Sequence, residues 1–252
     1  MVSPPEDLAM SEHCPRKPDP DRVASWREAI RALESEIRYL EWYRDEMGRI
    51  IKIVTENPAI LNAESTFPTH LMRWYLESQC MRIRRLAEGE SPGHDVWSLR
   101  LLLEDMKRAA EAFSRGNIKE LFDEPGGPRY DSEFEDFLVE SMWRQVGDVG
   151  KAADRLHAKQ IKGDLKELAD VTDAIKEFAT KVLAHYTKEG VGRPMPSWGP
   201  VSRATDVIVR IGKRYYATLI GPALGSFAPV DLFDWYDVFR FAWKPWKDEL
   251  VP

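Results

Sequence analysis

Cysteine is nearly missing from this chain: Cys14 and Cys80 are the only two in 252 residues. Two cannot make a disulfide framework, and Cys14 falls among prolines, so free thiols in a reducing compartment are expected. Catalytic signatures are missing as well. No Gly-rich loop runs into Lys-Ser or Lys-Thr, no G-x-S-x-G turn occurs, and no H-E-x-x-H is present. Those gaps exclude P-loop phosphate chemistry, the hydrolase nucleophile elbow and zincin-type metal sites. His13 and Cys14 are adjacent, a poor spacing for two ligands of one ion. No metal and no small-molecule cofactor is therefore expected.

Long apolar runs are also lacking. The uncharged stretch Ala217 to Val230 is too short to span a bilayer and contains Pro222 and Pro229. The opening M-V-S-P-P-E-D has no basic or apolar leader region, so a cytoplasmic chain without membrane contact is expected. Basic excess is missing too. Lys and Arg number 36 against 42 Asp and Glu, a net charge of −6. A generic nucleic-acid coat would be strongly basic, so any RNA contact must be local. No convincing run of period-two alternation appears, which leaves little room for strands.

What is present is an ordinary soluble balance, 43% hydrophobic and 31% charged, with nine Trp available for a core. Pro4, Pro5, Pro15 and Pro18 mark residues 1–19 as a tail without expected order. Residues 20–252 read as one all-α helical bundle. Asp19 and Pro20 suit a helix start, and the helix should end at Asn57, before Pro58. Its apolar seam is Trp26, Ile30, Leu33, Ile37, Leu40, Met47, Ile51 and Val54, broken only by Arg44. Steps of three and four make this a heptad-like stripe, with Glu34 and Arg38 paired on the outside. At ~1.5 Å per residue such a helix is about 55 Å long and must pack along a partner. A homodimer is expected from this seam and from the aromatic C-terminus.

Five further helices are expected. The second runs from about Pro68 to Ala87, and the third from a Ser98 cap to Gly116. A Pro- and Gly-rich loop should fill Asn117 to Tyr130. The fourth starts at a Ser132–Glu135 capping box and carries Phe134, Leu138, Met142, Val149 and Leu156. The fifth starts at a second such box, Asp164–Glu167, and ends before Gly190. After a rigid loop through Gly199-Pro200, the sixth holds Val201 to Tyr215 and stops at Gly221-Pro222. Seven aromatics then crowd the stretch between Asp231 and Trp246. They either dock back onto the helices or form a stacking platform for single-stranded RNA, against which Asp231, Asp234 and Asp237 would act.

Two groups carry candidate chemistry. Lys181 and His185 share one helix face at i, i+4. A neutral imidazole can take the proton of an RNA 2′-hydroxyl, and an ammonium can stabilise charge on the attacked phosphate. The same spacing also suits an ordinary helix end. Arg82, Arg84 and Arg85 close the second helix, where they either complement its dipole or touch RNA phosphates.

Four stretches together resemble the abortive-infection (AbiU-like) branch of the HEPN superfamily. They are Leu40-Glu41-Trp42-Tyr43-Arg44; Met81 to Leu86 followed by Trp97 to Leu103; K-V-L-A-H from Lys181 to His185; and Arg214-Tyr215-Tyr216 with the aromatic stretch from Asp234 to Trp243. The likeness covers residues 20–246 in order. It implies a dimeric all-α bundle in phage defence or a toxin–antitoxin system, with a gene partner encoded nearby. Many such proteins cut RNA without metal, using an Arg followed four to six residues later by a His. On that template His185 is the acid or base. None of the five histidines, His13, His70, His94, His157 and His185, has an Arg at that distance, and Lys181 stands in its place. A non-catalytic helical partner-binding or scaffold protein is the alternative reading.

Overall fold

The computed structural model describes residues 20–57, 66–90, 96–123, 130–147, 155–185 and 187–221. All regular elements among them are helical. They are α1 (Pro20–Glu56), α2 (Phe67–Leu86), α3 (Leu99–Arg108), α4 (Arg115–Lys119), α5 (Ser132–Val146), α6 (Ala158–Phe178) and α7 (Trp198–Ile220). Single 3-10 turns stand at Ala110–Ala112 and Lys188–Gly190, and α6 runs on as a π-turn over Ala179–Ala184. The all-α bundle expected from periodicity is the observed fold. No helix of the described residues is long and apolar enough to cross a membrane. The proline-rich tail and the aromatic stretch after Gly221 lie outside the described residues.

The long seam finds its partner inside the chain. Trp26, Ile30, Leu33, Ile37, Leu40 and Met47 are all buried. Each such side chain contributes about 1.5–3 kcal/mol of burial free energy. The helix facing them is α7, which runs antiparallel to α1. Arg27 Nε donates to the Leu219 carbonyl (3.0 Å), Lys213 Nζ meets Glu41 (2.7 Å), and Arg44 reaches Asp206. The one residue that breaks the stripe thus ties α1 to α7. Gly212 sets the separation: a Cβ there would lie 2.7 Å from Ile37 Cδ1. Because α7 consumes the seam, the length of α1 does not by itself require a second copy.

Several boundaries differ from the sequence reading. Ser98 caps α3 as expected, accepting from Leu101 N at 3.0 Å, and its hydroxyl donates to the Glu88 carbonyl at 2.6 Å. But α3 stops at Arg108 instead of reaching Gly116. Phe113 is buried in an extended conformation, and Asn117 Oδ1 takes the Ser114 N–H at 2.8 Å, starting a separate α4 at Arg115 that runs into the expected loop as far as Lys119. A side chain that offers the backbone a local partner ends one helix and begins another. Asp131, not Ser132, caps α5, accepting from Phe134 N at 2.8 Å. That helix ends at Gly147 instead of continuing to Leu156. A Cβ at Gly147 would sit 2.1 Å from the Trp143 ring, and the chain returns as an antiparallel bridge between Gly147 and Leu156. Phe134, assigned to the core stripe, is 43% exposed instead. Finally, α6 starts at Ala158, so Asp164 lies inside it, and α7 starts at Trp198, taking Gly199-Pro200 into its first turn.

Candidate functional site

The C-terminal end of α6 holds the first candidate. Helix geometry changes there: Ala179–Ala184 form a π-turn, and His185 follows as the exposed C-cap. Such turns mark places where a helix departs from its lowest-energy path, often at sites of function. The loop beyond folds back onto it. Thr187 N donates to the Lys181 carbonyl at 2.7 Å, and Gly190 packs so close that a Cβ would lie 2.3 Å from that same oxygen. The fold-back delivers Glu189 to the Lys181 side chain. Lys181 Nζ lies 2.8 Å from Glu189 and 3.0 Å from Glu177, while Arg193 meets Glu177 at 2.9 Å.

These contacts fix the electrostatics. Hydrogen bonds from Glu189 and then Glu177 push the Lys181 ammonium above its ordinary value. Arg193 and then Lys181 hold the Glu177 carboxyl below its own, and Lys181 does the same for Glu189. Lys181 is therefore a charged lysine whose charge is already met by two carboxylates. An incoming phosphate would encounter those carboxylates before the ammonium. His185 stands on the surface, and neither it nor Lys181 lines either of the two grooves described below.

Arg82, Arg84 and Arg85 are likewise engaged. Glu36 of α1 accepts from Arg82 at 2.8 Å and from Arg85 at 2.7 Å, and Arg84 reaches Glu88 at 3.3 Å. The Arg82 guanidinium also lies over the rings of Tyr39 (5.0 Å) and Tyr43 (5.5 Å). Cation–π and ion-pair contacts together make Arg82 a clamp between α2 and α1. None of the three lines either of the two grooves described below.

The Arg214-Tyr215 pair, part of the family likeness, meets a group that sequence reasoning assigned to a helix cap. Asp164 is 2% exposed. Arg214 Nη1 donates to both of its oxygens at 2.7 Å, Tyr215 OH donates to Oδ2 at 2.8 Å, and Gln160 Nε2 donates to Oδ1 at 3.1 Å. Burial first, and then the Asp164 charge, push the Tyr215 hydroxyl far above its ordinary range. A buried carboxylate satisfied in this way locks α6 to α7.

One constellation was missed altogether. An open cleft of about 850 Å³ runs between α3 and α6. Arg100, Lys107 and Arg108 line it from α3, and Lys162 and Lys166 line it from α6. Among the described residues that line it, Glu90 and Glu104 bring negative charge to its walls. Arg100 pairs with Glu104 (2.8 Å) and Arg108 with Glu90 (3.5 Å). Lys107 and Lys162 have no hydrogen bond or ion pair among the described residues. The signal was available in sequence as Lys159, Lys162 and Lys166 on one face of α6. A second groove, of about 560 Å³, is more apolar and lies between α2 and the end of α6, lined in part by Met72, Leu76, Phe178 and Val182. Among the described residues no three His, Cys, Asp or Glu side chains converge as a metal ion requires.

No family model matches this chain, and neither a curated protein nor a solved structure does.

Proposed function

We propose that this chain is a HEPN-like helical protein of the abortive-infection type that binds RNA and does not cut it on its own. The observation that carries the reading is the pairing of Lys181. Its Nζ sits 2.8 Å and 3.0 Å from two carboxylates, so the candidate phosphate-gripping cation is already neutralised. A lysine also lacks the bidentate fork by which an arginine holds a phosphate. His185 retains a proton-transferring side chain, but it works without an oxyanion partner. The family likeness supports RNA as the ligand class and phage defence or a toxin–antitoxin pair as the setting.

The test uses the purified full chain with labelled single-stranded RNA at neutral pH and excess chelator. The expected result is a retarded complex and intact RNA on a denaturing gel. Cleavage that disappears in His185→Ala, with folding unchanged, would convert the reading to a metal-independent ribonuclease with His185 and Lys181 at its centre.

A second reading, a partner-binding scaffold working as a homodimer, is favoured by one specific feature. Phe122, Tyr130, Phe134 and Phe137 form a ladder with ring centroids 6.0, 5.2 and 6.2 Å apart, and Phe137 is 63% exposed. Aromatic surface of this kind is enriched where chains meet. A dimeric mass by light scattering at micromolar concentration that becomes monomeric in Phe137→Asp supports that reading; a monomeric mass throughout removes it.

A further inference from the structure

We infer that the cleft between α3 and α6 is a track for the phosphodiester backbone of single-stranded RNA, with the Trp97 indole at its mouth as a base-stacking platform. This rests on the RNA-binding reading and names its site and strand form. Five cations line the cleft with Glu90 and Glu104, and Asp105 and Asp170 also reach Arg108 and Lys166, so the positive charge left unanswered is that of Lys107 and Lys162, on a chain whose net charge is −6. Lys107 on one wall and Lys162 on the other are exposed and carry no partner among the described residues. Elsewhere the candidate cations are spent: Lys181 on Glu177 and Glu189, Arg82 and Arg85 on Glu36. Binding a polyanion releases counterions only where protein charge is not already neutralised from within.

Length fits as well. Arg100 and Lys107 are seven residues apart, which spreads them over about 10 Å of α3 at ~1.5 Å per residue. That is room for about three phosphates at the ~3.4 Å per strand of a stacked nucleic acid.

The strand form follows from Trp97. It is 50% exposed and immediately precedes Ser98, whose hydroxyl is bonded to the Glu88 carbonyl next to the cleft residue Gly89. Arg100, the second residue of α3, lines the cleft. An exposed indole is thus anchored at the edge of a basic groove. Aromatic platforms bind bases that are free to unstack, and a duplex keeps its bases inside.

The experiment measures anisotropy of a fluorescein-labelled single-stranded oligouridine with the full chain across a salt series, and competes it with an unlabelled hairpin duplex. Lys107→Glu with Lys162→Glu should weaken binding about tenfold or more and flatten the salt slope by about 1.4, at ~0.7 per phosphate contact on a single strand. Trp97→Ala should weaken it about 5- to 150-fold, the range for one lost base stack. Lys52→Glu with Lys119→Glu, an equal charge change outside the cleft lining, should leave affinity close to wild type. All five residues are exposed, so far-UV circular dichroism should be unchanged. Oligouridine bound with undiminished affinity by the Lys107→Glu, Lys162→Glu variant overturns the cleft and leaves the RNA-binding reading standing. No binding by wild type overturns both. Equal competition by the duplex, with no effect of Trp97→Ala, overturns the single-strand assignment.

Discussion

The two ends of α6 carry the same chemistry to opposite outcomes. Near its start, Lys162 and Lys166 point into an open cleft opposite the cations of α3. At its finish, Lys181 is folded under a return loop and met by two carboxylates. All three are lysines on one continuous helical run. What separates them is the path of the chain after α6: the turn at Lys188–Gly190 brings Glu189 back to Lys181, and among the described residues no equivalent segment brings an acid to Lys162. A charged residue becomes a binding residue only if the fold leaves its charge unanswered. That distinction decides between the Lys181–His185 pair and the α3–α6 cleft.

The strongest way to break the comparison is to loosen the half of α6 that presents the cleft. Asp164 lies between Lys162 and Lys166 in sequence and anchors that half to α7. Asp164→Ala leaves the partly buried Arg214 guanidinium and the Tyr215 hydroxyl without their acceptor. Removing one partner of a buried pair costs about 3–5 kcal/mol. The expected outcome, read by urea unfolding, is a loss of that size together with weakened RNA binding. A loss under 1 kcal/mol would show that the anchor is solvated and that the cleft is held by apolar packing alone.

A smaller effect is expected at the other end. A Cβ at Gly190 meets the Lys181 carbonyl carbon and oxygen, both backbone atoms that cannot swing away. Gly190→Ala should therefore push the return loop off the π-turn at a cost of about 1–3 kcal/mol, the usual range for overpacking. It should also draw Glu189 away from Lys181. If the clamp is what silences this end, the variant gains RNA affinity as it loses stability. A fall in melting temperature with no gain in affinity would assign the silence to something other than the loop.

How much of this the sequence disclosed depends on the range of the interaction involved. The α1 seam was legible because burial every three or four residues is a local pattern, and every residue from Trp26 to Met47 assigned to it is buried. The Ser98 cap was legible for the same reason. Asp164 was misread because Asp followed three residues on by Glu is also the local signature of a cap. Its true partners, Arg214 and Tyr215, are fifty residues away. The cleft was missed because its two walls are separated by more than fifty residues, and neither wall is basic enough alone to stand out in an acidic chain. Arg82 and Arg85 were left between a helix-dipole role and an RNA contact because Glu36, which answers both, lies on another helix.

The finest test leaves the backbone alone and removes only the carboxylates. Glu177→Gln with Glu189→Gln keeps shape and polarity at the clamp but frees Lys181. Surface pairs of this kind are worth little, so stability should change only slightly. RNA affinity should rise severalfold, making the finish of α6 behave like its start. The pH dependence gives an internal check. Both carboxyls are held below their usual 4.5 in the folded chain, so their contribution is present above that pH and is lost as pH falls through the lowered values. Lys181 is raised above 10.5, so its contribution is present below that value and is lost only at more alkaline pH. Wild type and the double variant should therefore differ in melting temperature between about pH 5 and 10 and converge in acid. If they differ equally at every pH, the glutamates act on the π-turn through packing, and the comparison between the two ends of α6 is not electrostatic.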